Sequence, residues 1–144
     1  MREALKQAKR ASALGEMPVG AVIVRDGEII SRAYNRRETK KNALYHAEIT
    51  AIDRACKKLG GWRLPRCEMY VTLEPCPMCA GALIQSRIDK VYIGAKDHKN
   101  GCVGSICNLL EEKFTHKVEH EYLDNCEECS QILTDFFKEL RKSK

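Results

Sequence analysis

Apolar positions along this chain change period from segment to segment, and the changes mark out its elements. Ala4, Leu5, Ala8, Ala11 and Leu14 roughly follow one helical face, so residues 2–14 are expected as a helix ending near Gly15. Residues 20–24 form a short apolar run, Asp26-Gly27 is a hairpin signal, and residues 28–34 are the return strand. The polar stretch 35–45 reads as a loop. The helical period returns over 46–59, with Ile49, Ile52, Ala55, Cys56 and Leu59 on one side and Gly60-Gly61 as its stop. Residues 69–73 read as a strand, 77–86 as a second helix and 91–94 as a short buried strand. A Gly-containing loop is expected over 95–106 and a last strand over 117–120. A terminal helix over 123–140 is expected to bury Leu123, Cys126, Leu133, Phe136, Phe137 and Leu140. Central strands with helices between them predict a layered α/β sandwich.

Composition narrows the class. The chain has 144 residues, 44% of them hydrophobic, which suits one domain with a real core. No repeat, low-complexity tract or linker divides it, and Pro18, Pro65, Pro75 and Pro77 all fall at element boundaries. No apolar run is long enough for a membrane span. The first ten residues are charged and helix-like rather than apolar, so no export signal is expected and the cytoplasm is the expected compartment. Eight cysteines in such a chain then point to reduced thiols and metal binding rather than a disulfide framework. The net charge of +5 is compatible with a polyanionic partner. Arg36, Arg37, Lys40 and Lys41 form one basic group, and Lys138, Arg141, Lys142 and Lys144 another. On charge alone both read as solvated surfaces.

The chemistry lies in two short segments, His46-Ala47-Glu48 and Pro75-Cys76-Pro77-Met78-Cys79, each opening a helix. Cys76 and Cys79, three apart, share a helix face and can grip one ion. A helix N-terminus favours thiolates there. One imidazole and two thiolates leave a tetrahedral zinc position open, the pattern of a catalytic site. Glu48 points away from His46 on the helix, so it is expected beside the metal rather than on it. There it can take a proton from water, give one to a ring nitrogen and help ammonia leave. The pair of motifs is the signature of the zinc nucleobase deaminases. The competing readings are a structural zinc clip and core cysteines beside an unrelated histidine; neither needs Glu48. Cys126-Glu-Glu-Cys129 has the same spacing but no histidine suitably placed. Cys129 is expected in the core, Cys126 has no assigned role, and Cys56, Cys67, Cys102 and Cys107 are expected as packing residues.

The surrounding text extends the likeness. Pro18-Val19-Gly20-Ala21, Tyr34-Asn35-Arg36, His46-Ala47-Glu48-Ile49, Trp62-Arg63-Leu64 and Tyr70 through Ala82 carry it, with Ser86-Arg87-Ile88, Gly94-Ala95-Lys96-Asp97, Asn108-Leu109-Leu110 and Asp135-Phe136-Phe137 beyond. Along its whole length the chain resembles the bacterial tRNA-specific adenosine deaminases, which convert the wobble adenosine of an anticodon to inosine. The resemblance implies a cytidine-deaminase-like three-layer α/β/α sandwich with a mixed five-stranded sheet. It implies a homodimer acting on the tRNA anticodon stem-loop, with one zinc ion per subunit. His46, Cys76 and Cys79 take the metal positions, and Glu48 the proton-shuttle position. Asn35 falls where the family holds the flipped base; Asp97 and Lys99 fall in a loop contacting flanking nucleotides; Phe137 and Arg141 fall on a terminal helix approaching the anticodon loop. On residue type alone, Asn35 suits a strand-end cap, Asp97 a turn, and Arg141 a solvated charge, while either Phe136 or Phe137 is expected to face the core.

The chain departs from the family pattern at Asn42-Ala43-Leu44-Tyr45, where large Tyr45 is expected to alter the pocket rim, and at Thr115 before His116. Two rival functions remain. One is a free-base, nucleoside or nucleotide deaminase of the same fold, acting on guanine, cytosine or cytidine. The other is a noncatalytic zinc-containing RNA-binding module, which would have no use for Glu48.

Overall fold

The computed structural model describes residues 1–124 and 126–143. Its elements run α1 (Arg2–Ala13), β1 (Gly20–Arg25), β2 (Glu28–Tyr34), α2 (Arg37–Lys40), α3 (Ala47–Leu59), β3 (Cys67–Leu73), α4 (Pro77–Gln85), β4 (Lys90–Ala95), a 3₁₀ turn (Leu109–Glu111), β5 (Glu119–Tyr122) and α5 (Glu127–Lys142). The strands form one mixed sheet in the order β2-β1-β3-β4-β5. β1 pairs antiparallel with β2 and β3, and β3, β4 and β5 run parallel. Asp26 and Gly27 at the hairpin tip have φ of 50° and 82°, the tight-turn geometry their residue types favour.

Alternation along β1 sorts the layers. A Cβ on Gly20 would strike the Ala4 carbonyl and the Ala8 amide, so α1 rides directly on that face. On β2, Ser31 pairs with Ile23 and donates to the Ala51 carbonyl at 2.9 Å, so α3 covers the opposite face. α5 joins α1, and α4 joins α3. The result is the expected α/β/α sandwich. Ile23, Met69, Val71, Leu83, Ile88, Val91 and Ile93 are fully enclosed between its layers. On β3 and β4 the inward positions are enclosed, while Glu68, Tyr70, Lys90 and Tyr92 on the other face stay half-buried.

The structure departs from the periodicity reading at four places. Residues 35–45 contain the short helix α2, whose leading amides bond to Glu16, far away in sequence. β5 lies two residues later than expected; it is an edge strand of half-buried and exposed positions with little apolar pattern to fix it. α5 begins at Glu127, because Leu123 still donates to the Ile93 carbonyl as an extension of β5. Its buried face is also thinner than expected: Cys129 is enclosed, Leu133 and Phe136 are half-buried, and Phe137 and Leu140 are exposed. On α3 the enclosed residues are Ala47, Glu48, Ala51 and Ala55, with Ile52, Cys56 and Leu59 packed at the margin. Small side chains let the helix approach the sheet closely.

Candidate active site

The two motif helices deliver their ligands in the same way. His46 is the N-cap of α3 and Cys76 the N-cap of α4, both with extended backbone (φ −75°). Pro77 opens α4, where a missing N–H costs nothing and the ring presets φ. Cys79 then sits three residues on, over the cap. α3 and α4 pack together, so both helix N-termini, with their positive dipole ends, face one point. The Nδ1 of His46 lies 3.6 Å from the Cys76 sulfur and 3.5 Å from that of Cys79. A tetrahedral ion with metal–sulfur bonds of about 2.3 Å and a metal–nitrogen bond of about 2.0 Å requires sulfur–nitrogen separations of about 3.5 Å. Both sulfur–nitrogen edges therefore already stand at that length, and all three donor atoms lie within 4.8 Å of one another. Among the described residues they are the one group of this kind.

The electrostatics divide the cysteine pair: the hydrogen bond to Cys76, with burial, pushes the Cys79 thiol up, while Cys76 is held down. A hydrogen bond from Cys79, aided by His46 and opposed by burial, holds the Cys76 thiol down to about 4, so Cys76 is a thiolate at neutral pH. The hydrogen bond to Cys76 raises His46. Glu48 is buried on the first turn of α3, and desolvation pushes its carboxyl up to about 7. That places Glu48 where it can both accept and release a proton near neutrality.

His46, Glu48 and Cys76 open into a cavity of about 280 Å³, with Cys79 behind them. Asn35, His46, Glu48, Cys76 and Asp97 line it, together with Arg37, Glu74 and Asn100. Asn35 is buried, with Nδ2 donating to the Met17 carbonyl at 3.2 Å and Oδ1 accepting from the Arg37 amide at 3.2 Å. It thus caps locally as its residue type suggests, yet each end of the amide keeps capacity for one more hydrogen bond. Asp97 likewise closes a turn: its Oδ1 accepts from the amides of Lys99 and Asn100, both at 3.1 Å. Lys99, Phe137 and Arg141 are exposed and lie outside the cavity lining. Tyr45 is also outside it; its carbonyl accepts from the Arg36 amide at 3.0 Å while the ring faces outward.

Two buried glutamates escaped the sequence reading. Glu16, fully enclosed, accepts from the amides of Glu38 at 3.0 Å and Thr39 at 2.6 Å and so anchors α2, which carries Arg37 to the cavity mouth. Burial raises its carboxyl, but the hydrogen bonds from Thr39 and Glu38 outweigh it and hold the group below the ordinary range. Glu74, between β3 and the Cys76 motif, anchors the loop bearing Asp97. Single glutamates without spacing partners give no sequence signal.

The second Cys-x-x-Cys is corrected by the structure. Cys126 and Cys129 are joined in a disulfide, with Cα atoms 5.5 Å apart. Cys126 is the N-cap of α5, so the geometry repeats that of Cys76 and Cys79. Where a histidine faces such a pair a metal can be held; here the two sulfurs meet each other. Cys67 and Cys102 are buried as expected, and Cys56 half-buried, but Cys107 is exposed.

The MafB19-like deaminase family matches residues 1–141. The tRNA-specific adenosine deaminase of Bacillus subtilis (strain 168) is 55% identical over 145 aligned positions, covering 100% of this chain and 90% of that protein. That of Aquifex aeolicus (strain VF5) is 50% identical, covering 99% of this chain and 95% of its own. A solved structure from work on A-to-I editing by tRNA:A34 deaminases superposes with a TM-score of 0.89 at 40% identity, covering 92% of this chain and 97% of the other. A guanine deaminase from Bacillus subtilis gives a TM-score of 0.64 at 30% identity, covering 98% and 90%. With the ligand triangle, the buried glutamate and full-length identity of this order in agreement, the chain belongs to the MafB19-like deaminases and, within them, to the family of the tRNA-specific adenosine deaminases.

Proposed function

We propose that this protein hydrolytically deaminates adenosine to inosine at the wobble position of a tRNA anticodon. One observation carries the chemistry: buried Glu48 shares a cavity with His46 and Cys76, which together with Cys79 bring three metal-ligating atoms within 4.8 Å of one another. The relatives named above supply the substrate. His46, Cys76 and Cys79 hold one zinc ion, which when bound acts as the Lewis acid that makes water nucleophilic near neutral pH. Glu48 takes a proton from the attacking water and passes it to the adenine ring nitrogen. It then relays a proton to the amino group, which leaves as ammonia while a C–O bond replaces the C–N bond. Asn35 uses its spare N–H and lone pair on the purine edge.

The RNA reading rests on the mouth of the cavity. Arg37 lines it, and Lys40 and Lys41 stand exposed on and just after α2. Among the described residues only one Asp97 oxygen, Oδ1, is engaged, so the other is left to accept from a ribose 2′-OH. Lys99, Phe137 and Arg141 contact the strand further out, the ring by stacking and the cations at phosphates. The enzyme acts as a homodimer in the cytoplasm, on tRNA. No described helix is long and apolar enough to cross a membrane.

A cavity reached through this mouth takes one flipped base. The test compares one adenosine in a hairpin loop and in a fully paired duplex, with zinc-loaded protein. Inosine should form in the loop alone; equal rates on the duplex defeat the proposal.

A further inference from the structure

Glu74 is a buried carboxylate to which the proposed proton transfers assign no task. It stands between Leu73 at the end of β3 and Pro75, and is 2% exposed. Its Oε1 accepts from the Asp97 amide at 3.0 Å and from the Ser105 hydroxyl. Its Oε2 accepts from the amides of Val103 and Ser105, both at 3.0 Å. Four donors fill the roughly four acceptor positions of a carboxylate, so none is left for a substrate proton. A Cβ at Gly101 would run into the same carboxylate, so the loop closes around it only because glycine stands there. The Cys102 amide adds a bond to the Pro75 carbonyl at 2.9 Å.

Residues 97–105 are therefore wrapped round one side chain, with Cys102 and Val103 seated in the core behind it, while the Asp97–Asn100 end has no buried apolar group of its own. His98, Lys99 and Asn100 are exposed, while Asp97 and Asn100 face the cavity. This loop is one wall of the mouth through which RNA must enter.

We propose that Glu74 is a positioning residue for the RNA substrate: through its four bonds it holds loop 97–105 in the form that presents Asp97 and Asn100 to the nucleotide beside the target. It touches neither the base nor the reacting atoms. The proposal rests on the tRNA-deaminase reading. A wall built in advance lowers the ordering cost of binding, so its loss is read in KM rather than in kcat.

The test uses Glu74→Gln, whose side chain keeps its shape but turns an NH₂ toward amide donors, and Ser105→Ala, which removes one donor and leaves Glu74 in place. Both are assayed on an anticodon stem-loop, with zinc content and amide hydrogen exchange measured on the same zinc-loaded protein without RNA. Glu74→Gln should keep one zinc per chain and a kcat within about threefold, with KM raised about tenfold or more. Ser105→Ala should raise KM about two- to fivefold. Exchange should quicken across 97–105 and stay unchanged in α3 and α4. Unchanged KM in both variants overturns the proposal, as does a fall in kcat accompanied by zinc loss, which would assign Glu74 to the ligand loop. If Glu74→Gln does not fold, an unchanged KM in Ser105→Ala is sufficient to overturn it. A wild type inert on the stem-loop removes the functional reading and the proposal together, whereas an active wild type with indifferent variants removes the proposal alone.

Discussion

Glu48 stands two residues after His46 and on another side of its helix, buried where a carboxylate is costly. Proton transfer is the task that fits such a group. Glu48→Gln keeps the shape of the side chain and leaves His46, Cys76 and Cys79 untouched. Metal analysis should find zinc still bound at one per chain, while inosine release falls by about 10²- to 10⁴-fold. A noncatalytic module would show no corresponding change in RNA binding. At this scale the clustering of His46, Cys76 and Cys79 was legible because two short spacings coincided with two helix starts. That Asn35 and Asp97 line the cavity could be expected only through resemblance, since by residue type they suit the capping and turn roles the structure shows. Glu16 and Glu74 were not legible at all. Their partners lie 22 to 31 positions away, and no period connects a glutamate to amides of a distant loop.

Helix and strand placement followed from periodicity wherever burial was strong and failed where it was weak. α1, the β1–β2 hairpin, α3, α4 and β4 have buried faces or firm stops, and their expected ranges hold to within a residue or two at each end. β5 and the start of α5 are shallow, and there the expectation slipped. Two contacts between elements can be tested directly. Gly20→Ala sets a methyl group against the backbone of α1 at Ala4 and Ala8. Because backbone cannot swing aside, stability should drop by about 1–3 kcal/mol in urea unfolding. Glu16 tests the anchor of α2. Its carboxyl titrates lower in the folded protein than its ordinary value of about 4.3. A depressed carboxyl contributes stability above the unfolded pKa and loses it as pH falls through the folded one. Glu16→Gln should therefore be less stable than wild type by about 1–3 kcal/mol at pH 7. The gap should narrow as pH drops below about 4, and a gap constant with pH contradicts the anchor.

The whole molecule places a His46/Cys76/Cys79 cluster, a buried carboxylate and a cavity of about 280 Å³ at the ends of two helices, with Arg37 in its lining and basic neighbours beside it. Leu44, Trp62, Ile106 and Phe114 are exposed apolar side chains, and the proposed homodimer is tested by its mass. Light scattering at micromolar concentration should give twice the chain mass, and a single-chain mass would contradict the homodimer. The same fold serves guanine deaminases, so the sandwich alone does not choose a substrate. That choice is the central claim, and one measurement reaches it most directly. Zinc-loaded protein is given an anticodon stem-loop with adenosine at the wobble position, beside free guanine, cytosine, cytidine and deoxycytidylate, and ammonia and inosine are followed. Turnover of the stem-loop alone, abolished by Glu48→Gln, is the expected result. Turnover of a free base or nucleotide with the stem-loop inert would keep the metal chemistry and contradict the RNA substrate.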